Sequence, residues 1–493
     1  MNVIDLIIFF AFTGGIVLLG ASFYNRKATA DDFTSAGRSL PGWVVGMSIF
    51  STYVSSISYL GYPGKAYDAD WNAFVFSLSI PIASWAAAKW FVPFYRQQTS
   101  VSAYSFLEKR FGLWARWYAS ACYLLTQIAR IGTIVYLLAL PMNLLLGWDI
   151  RVVIIATSLA IMAYSMLGGV KGVIWADAIQ GFIMIGGALV CLAILWWSYP
   201  GGPVESVRLA WDAGKFSLGS FSLTTLGEST FWVCLVYGIF TNLQNYGIDQ
   251  NYVQRYHAAK SDREARFSAL FGGYLFIPVS AVFFLIGTAL WSYYQTTPAP
   301  AGLKGDEVFP FFIVNVLPTG LTGLLVASIF AAGMSTVSTS ITSGATVVLS
   351  DFWRRMRHPS PGNVAGGEAV GRSSELLVLR LSSFLIGVLG ILISLALVNV
   401  DSILDAWWKL SSIFSGGMLG LFLLGFMSQR VRNVDAAVGV VCGFLVIAWI
   451  SLGNSGIHEY LAIVFGTIVI FLVGFLLAKR VGREKTEEGG KRE

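Results

Sequence analysis

Apolar stretches close to 20 residues long recur from one end of this sequence to the other, beginning with DLIIFFAFTGGIVLLGASFY at 5–24. A helix needs about 20 apolar residues to cross the hydrocarbon core of a bilayer. Backbone groups in lipid must satisfy one another, which restricts spanning segments to helices and the strands of closed barrels. Barrel strands alternate apolar and polar residues, whereas these runs are continuous, so the pattern predicts helices. Only 12% of the residues are charged and 56% are hydrophobic, against about 25% charged in soluble domains. The fold class expected is an all-α polytopic membrane protein.

About thirteen spans follow from the runs: 3–24, 41–63, 71–95, 115–146, 151–169, 173–198, 228–250, 267–294, 319–351, 374–398, 404–427, 433–452 and 459–479. Loops after the odd-numbered spans carry Arg26, Lys27 and Arg38; Arg96, Lys109 and Arg110; Lys171; Arg255, Lys260, Arg263 and Arg266; Arg354, Arg355, Arg357 and Arg372; Arg430 and Arg432; and the tail from Lys479 to Arg492. The opposite loops hold only Lys65, Arg151, Arg208, Lys215 and Lys304. Cytoplasmic loops concentrate Lys and Arg, so the expectation is an N-terminus outside and a cytoplasmic C-terminus. Asp5 in the first run, with basic residues only after it, favours a retained helix over a signal peptide. The segment 357–374 reads as a flexible cytoplasmic linker, and the polar tail 481–493 as disordered.

Other classes find little support. Cys122, Cys191, Cys234 and Cys442 all sit inside apolar runs without metal or redox spacing. The net charge of +6 is scattered through short loops, so no nucleic-acid partner is expected. No nucleophile–base pair or cofactor motif suggests an enzyme.

Two spans are interrupted. Span two runs through SIFSTYVSSISYLGYPG, and span seven through GIFTNLQNYGIDQNYVQRY, with Asn242, Gln244, Asn245, Gly247, Asp249 and Gln250 at membrane depth. They open two blocks of five spans, 2–6 and 7–11. A block with an odd number of spans, repeated in tandem, returns inverted in the membrane. Broken helices at matching places in inverted halves point to a midplane binding site in a secondary transporter. Two polar helices packing through small residues would be the simpler alternative.

Charge inside a bilayer is costly and needs a reason. Arg130, Asp177, Asp249 and Lys409 are the candidates. Arg130 suits either a bidentate grip on a carboxylate or an intramembrane salt bridge to Asp177 or Asp249. Asp177 suits a small hard cation, a proton, or a structural role near the helix end. Asp249 could tie up the broken backbone, and Lys409 reads as structural.

Span nine carries IFAAGMSTVSTSITSGAT (329–346), where Ser335, Ser338/Thr339 and Thr342 recur at helical spacing and stripe one face with hydroxyls. Hydroxyl and carbonyl oxygens make a neutral cage suited to an alkali cation, and the broken span two would supply carbonyls. Sodium fits better than a transition metal, since His257, His358 and His458 fall in loops or at span ends.

On these residues the sequence resembles the sodium:solute symporter family, most closely its bacterial sialic acid transporter branch. The matching stretches are 29–43, 50–67, 100–111, QIARIGTIVYL (127–137), GGVKGVIWADAIQG (168–181), YGIDQNYVQRY (246–256) and 329–343. The resemblance implies a leucine-transporter-type fold of two inverted five-helix repeats and alternating access. It divides the chain into an extra N-terminal helix and loop (1–40), repeats at 41–198 and 228–427, two C-terminal helices (428–480) and the tail. It implies a first Na+ site from the carbonyls of Ser51, Val54 and Ala332 with the hydroxyls of Ser335 and Thr336. A second would use Asp177, Ser335, Ser338 and Thr339. Substrate contacts would fall at Tyr53, Ser55, Ser56, Ser58, Ser77, Arg130 and Tyr246, with Arg130 on a carboxylate. The branch has threonine where Tyr53 and Ser58 stand, glutamine at Ser77 and phenylalanine at Tyr246, so the pocket departs from it. The expected activity is sodium-coupled import of a small polar solute, a carboxylated sugar such as sialic acid, by a monomer in the lipid bilayer of a bacterial inner membrane. A neutral sugar, another organic acid, or proton coupling through Asp177 stay open.

Overall fold

The computed structural model describes residues 2–24, 29–98, 100–297, 305–357, 372–399, 411, 417–453 and 455–489. Among them every regular element is helical, and a single bridge joins Leu40 to Ala259. Among the described residues, nine helices are long and apolar enough to cross a membrane, or ten if the bent pair Gly42–Tyr53 and Ser56–Asp68 is one span.

Among the described residues, helices lie where the sequence predicts spans. Span one is Val3–Ser22, span two the bent pair, span three Asn72–Arg96 and span four Leu113–Leu146. The stretch Ile150–Ser198 has 49 residues, which as one straight helix would be roughly 70 Å long at 1.5 Å per residue. That is over twice the ~30 Å apolar core of a bilayer. It turns at Gly169, whose φ of 55° and ψ of −161° favour a residue without Cβ. Spans five and six therefore meet at a glycine kink, with no loop between them. Span seven is Phe231–Ile248 followed by Gln250–Ala258, and span eight is Asp262–Thr296. Span nine begins at Leu321 and continues through a π-helical stretch to Arg357. Arg372–Ala396, Met418–Met427, Asn433–Leu452 and Leu461–Gly489 complete the order as spans ten to thirteen. Most of span eleven, Lys409 and the core of the 357–374 linker lie outside the described residues. The last helix runs on to Gly489, where a disordered tail is expected from 481. Its Arg, Glu and Lys residues are good helix formers that extend an already nucleated helix.

Span nine sits in the middle. Its most apolar window is 94% buried within the protein, against 22% for span one. It packs on spans one, two, four, six and ten. Its hydroxyls thus face protein on all sides and never lipid. At its outset Gly320 and Gly323 donate backbone N–H bonds to the buried Asp5 of span one, at 2.7 and 3.0 Å. A carboxylate at a helix N-terminus is held by the unpaired N–H groups and the helix dipole.

Close approach of helices rests on small residues, as is usual where lipid supplies no hydrophobic drive between helices. A Cβ built at Gly287 of span eight would lie 2.1 Å from the Pro63 carbonyl oxygen of span two. Gly186 of span six has nothing within 4 Å of such an atom. Gly287→Ala is therefore expected to destabilise the protein by about 1–3 kcal/mol through overpacking, while Gly186→Ala is neutral or mildly stabilising. Thermal unfolding in detergent compares the two; equal melting points would refute the contact.

Candidate functional site

Span two stops being helical at STYVSS. Val54 takes φ −74° and ψ 104°, Ser55 φ −102° and ψ 174°, and the two halves meet at 57°. Carbonyls at the end of the first half lose their helical partners there. Span nine supplies replacements. Ser335 Oγ donates to the Ser51 carbonyl at 2.8 Å and Thr336 Oγ1 to that of Thr52 at 3.3 Å. The same hydroxyls also reach the Ala332 carbonyl, at 3.1 and 3.2 Å. Ser51, Thr52, Ala332, Ser335 and Thr336 are all fully buried, and Val54 lies at the break itself. A hydroxyl that donates one proton keeps two lone pairs, so the cluster is an uncharged set of oxygens that can accept a cation.

Asp177 of span six stands beside it. Its Oδ2 accepts from Ser48 Oγ and from Arg255 Nη2, both at 2.7 Å, and lies 3.5 Å from Thr339 Oγ1. Ser51 Oγ donates to its backbone carbonyl at 2.7 Å, and Ser338 Oγ donates to the Ser335 carbonyl at 3.1 Å. Asp177 Oδ1 has no partner among the described residues. The reading of Arg255 as a loop charge is corrected here. Span seven resumes after Asp249, every residue of Gln250–Ala258 is buried, and the Arg255 side chain is 3% exposed. Its guanidinium reaches Ser48, the Asn251 carbonyl and Thr339 as well as Asp177, at 2.5–2.7 Å. Asp177 is thus one half of a buried ion pair, and its partner is Arg255, not the Arg130 that the sequence offered for such a bridge. The signal was the amphipathic spacing of QNYVQRY, obscured by the preceding polar break.

A cavity of about 260 Å³ opens off the break. Of the seven expected substrate residues, Tyr53, Ser55, Ser58 and Arg130 line it. Ser56, Ser77 and Tyr246 stand behind its wall: Ser77 Oγ is 2.7 Å from Ser280 Oγ, and the Tyr246 ring packs on Tyr53 and Tyr252 with centroids 6.1 and 5.0 Å apart. The Tyr53 hydroxyl donates to Asn242 Oδ1 of span seven, joining the two broken spans. Arg130 makes no ion pair among the described residues; Nη2 is 3.5 Å from the Thr52 carbonyl. Asp249 also lines the cavity and caps the second half of span seven, accepting from Asn251 N at 2.7 Å. Sequence reasoning missed the tyrosines at 62, 123, 237, 252 and 460 on the wall, together with Gln127, which accepts from Ser340 Oγ at 2.7 Å.

Two broken spans meeting at a buried oxygen cluster, beside a cavity carrying a guanidinium with no ion pair among the described residues, define a secondary transporter. The chain belongs to the sodium:solute symporter family, whose pattern matches residues 33–443, and sodium is its coupling ion. It is 32% identical over 480 residues to the sodium/sialic acid symporter SiaT of Proteus mirabilis (strain HI4320), covering 96% of this chain and 95% of that one. The substrate-bound, outward-open structure of a Na+-coupled sialic acid symporter superposes with a TM-score of 0.90 at 30% identity, over 97% and 98% of the two chains. A nucleobase-cation-symport-1 family transporter in a closed conformation shares the fold at 15% identity, TM-score 0.58, over 94% and 96%. The fold is of the leucine-transporter type.

Breaking a buried ion pair from one side costs about 3–5 kcal/mol, whereas replacing both partners by apolar residues is often neutral. Arg255→Leu should therefore lower the melting point by many degrees, and Asp177→Leu with Arg255→Leu should recover most of it. A double-mutant cycle with additive losses would show that the pair is not coupled.

Proposed function

We propose that this chain imports a carboxylated sugar, a sialic acid, into the bacterial cell together with sodium, and that Arg130 grips the carboxylate. The observation that carries this reading is Arg130 itself: a guanidinium on the cavity wall, free of ion pairs among the described residues and next to the Thr52 carbonyl. Guanidinium presents a planar fork that matches a carboxylate. The cavity is also rich in tyrosine, whose rings pack on apolar sugar faces while their hydroxyls bond polar groups. The names of the relatives point to the same substrate class.

In this reading one sodium ion sits among the carbonyls of Ser51, Val54 and Ala332 and the hydroxyls of Ser335 and Thr336. A second is held near Asp177 with Ser335, Ser338 and Thr339. Both ions bind where the broken span two leans on span nine, so they stabilise the arrangement that presents Tyr53, Ser55, Ser58 and Arg130 to the substrate. Ser56, Ser77 and Tyr246 support that wall from behind. The repeats at 41–198 and 228–427 rock against each other, passing ions and substrate from the outer face to the cytoplasm. The basic loops put the C-terminus in the cytoplasm and the N-terminus outside, and a monomer suffices, since ions and substrate meet within one chain. Two sodium ions with one carboxylate carry one net positive charge, so each 100 mV of membrane potential contributes about 2.3 kcal/mol per cycle.

The test is a thermal-shift series on the purified protein, with uptake into proteoliposomes. Sialic acid should stabilise the wild type only when sodium is present. Arg130→Ala should lose the response to carboxylated ligands, and Ser335→Ala should raise the half-saturating sodium concentration by at least about tenfold, worth about 1.4 kcal/mol. Stabilisation by every ligand without sodium would sink the coupling. Uptake driven by a pH gradient alone would move the coupling to a proton on Asp177, and neutral sugars that respond alike in wild type and Arg130→Ala would replace the acidic substrate.

A further inference from the structure

Span three carries a charge on its outer flank that no ion pair among the described residues balances. Lys89 is exposed on the helix Asn72–Arg96. It stands seven residues before Arg96, about 10 Å along the axis at 1.5 Å per residue. Arg96 pairs with the exposed Asp262 at 2.7 Å, which marks the water side. The contacts of Lys89 are two aromatic ones: Nζ lies 4.7 Å from the ring centroid of Trp85 and 5.2 Å from that of Trp90. No hydrogen bond or ion pair among the described residues adds to them. Charged side chains within membrane spans nearly always face the protein interior or a partner. Cation–π contacts offset only part of the cost of one that does not.

A departure from regular helix shapes the surroundings of this ammonium. Residues five apart in an α-helix point about 140° away from each other, so Trp85 and Trp90 would diverge. Ala87–Phe91 is instead π-helical, and a π turn, bonded from i to i+5, swings such residues back toward one face. The two indoles meet edge to face with centroids 5.4 Å apart. They are 47% and 48% exposed, and neither ring N–H has an acceptor among the described residues. Lysine and indole nitrogens only donate, so donors converge here without an acceptor. Tryptophan on a membrane-facing surface favours the level where acyl chains meet headgroups. The other side of the π turn faces inward. Phe91 lies against Gly247, where a Cβ would be 3.1 Å from its Cζ, and the Tyr95 hydroxyl donates to the Gly247 carbonyl at 2.9 Å, beside the break of span seven.

We propose that Trp85, Lys89 and Trp90 form a docking site for the phosphate of an anionic phospholipid in the leaflet on the Arg96 side. A phosphodiester presents acceptor oxygens and a negative charge, which a cationic donor binds most strongly. The site offers no carboxylate for a choline group, so a zwitterionic lipid fits less well. Arg263 and Arg266, exposed at the adjoining end of span eight, add positive charge that draws anionic lipid to this flank. A second copy of the chain is a poorer occupant, because the carboxylates at membrane depth, Asp177 and Asp249, face the interior or the cavity. The site is independent of the substrate and ion reading, and it lies on the outside of the helix that braces the break of span seven.

The experiment is a thermal-shift titration of the purified, delipidated full chain with dioleoyl phosphatidylglycerol, against dioleoyl phosphatidylcholine and inorganic phosphate. Phosphatidylglycerol should stabilise the wild type with a half-saturation about fivefold below that of phosphatidylcholine, the effect of one basic contact with an anionic lipid. Inorganic phosphate should leave the melting temperature unchanged. Lys89→Met should raise the phosphatidylglycerol half-saturation by about fivefold, and Lys89→Arg should keep it near the wild-type value. Trp85→Phe with Trp90→Phe keeps both rings, removes both N–H donors and should raise it about threefold or more. Equal half-saturation for the two lipids, or an unchanged one in Lys89→Met, overturns the site. A response to inorganic phosphate matching that to phosphatidylglycerol overturns the lipid as its source. A lipid-free wild-type dimer, seen by light scattering, that Lys89→Met splits into monomers gives this face to a second copy and overturns the proposal. If Lys89→Met does not fold, an unchanged half-saturation in the double tryptophan variant overturns it instead.

Discussion

A helix that breaks inside a membrane leaves carbonyls that no water can reach, and the centre of this protein is arranged around that constraint. Span two breaks at Val54, and the carbonyls of Ser51 and Thr52 are met by hydroxyls from span nine. This fixes where span nine must run. It must lie against the break and be enclosed by other helices, and its hydroxyl-rich segment cannot face lipid. The same oxygens that satisfy one another are the ones a sodium ion can share, because hydroxyl donors retain lone pairs. Structural satisfaction and ion binding draw on one set of atoms, so the ion can bias the packing of two helices directly.

Charge is distributed by a second rule. Away from the cavity, the deeply buried carboxylates have partners: Asp5 takes two N–H groups of span nine, Asp177 takes Arg255, and Asp351 takes Arg116 at 2.6 Å together with Ser102 and Ser120. On the cavity wall, Arg130, Asp249, Lys65 and Glu459 form no ion pairs among the described residues. Burying an unpaired charge is costly, so matched charges hold the scaffold while unmatched ones stand where a polar solute can meet them.

The legibility of the sequence follows the range of each interaction. Apolar runs, the breaks in spans two and seven, and the hydroxyl stripe are local patterns, and each appears where expected. Arg255 was misplaced because the polar break before Asp249 hides the short amphipathic helix that resumes after it. Tyr246 and Ser77 were expected on the cavity wall through resemblance, yet which side of a wall a residue occupies depends on the rotation of one helix against another.

The sequence by itself determined the membrane class, the order of the helices, the broken spans and the residue types suited to an alkali cation, because bilayer thickness and backbone hydrogen bonding act along the chain. Tertiary structure decided which carbonyl meets which hydroxyl, which arginine pairs with Asp177 and which is left to the cavity. Those choices belong to contacts between residues 78 to 284 positions apart, such as Arg255 with Asp177 and Ser335 with Ser51. Helix packing sets them, through glycines that let backbones touch, and no periodicity along the chain records the outcome.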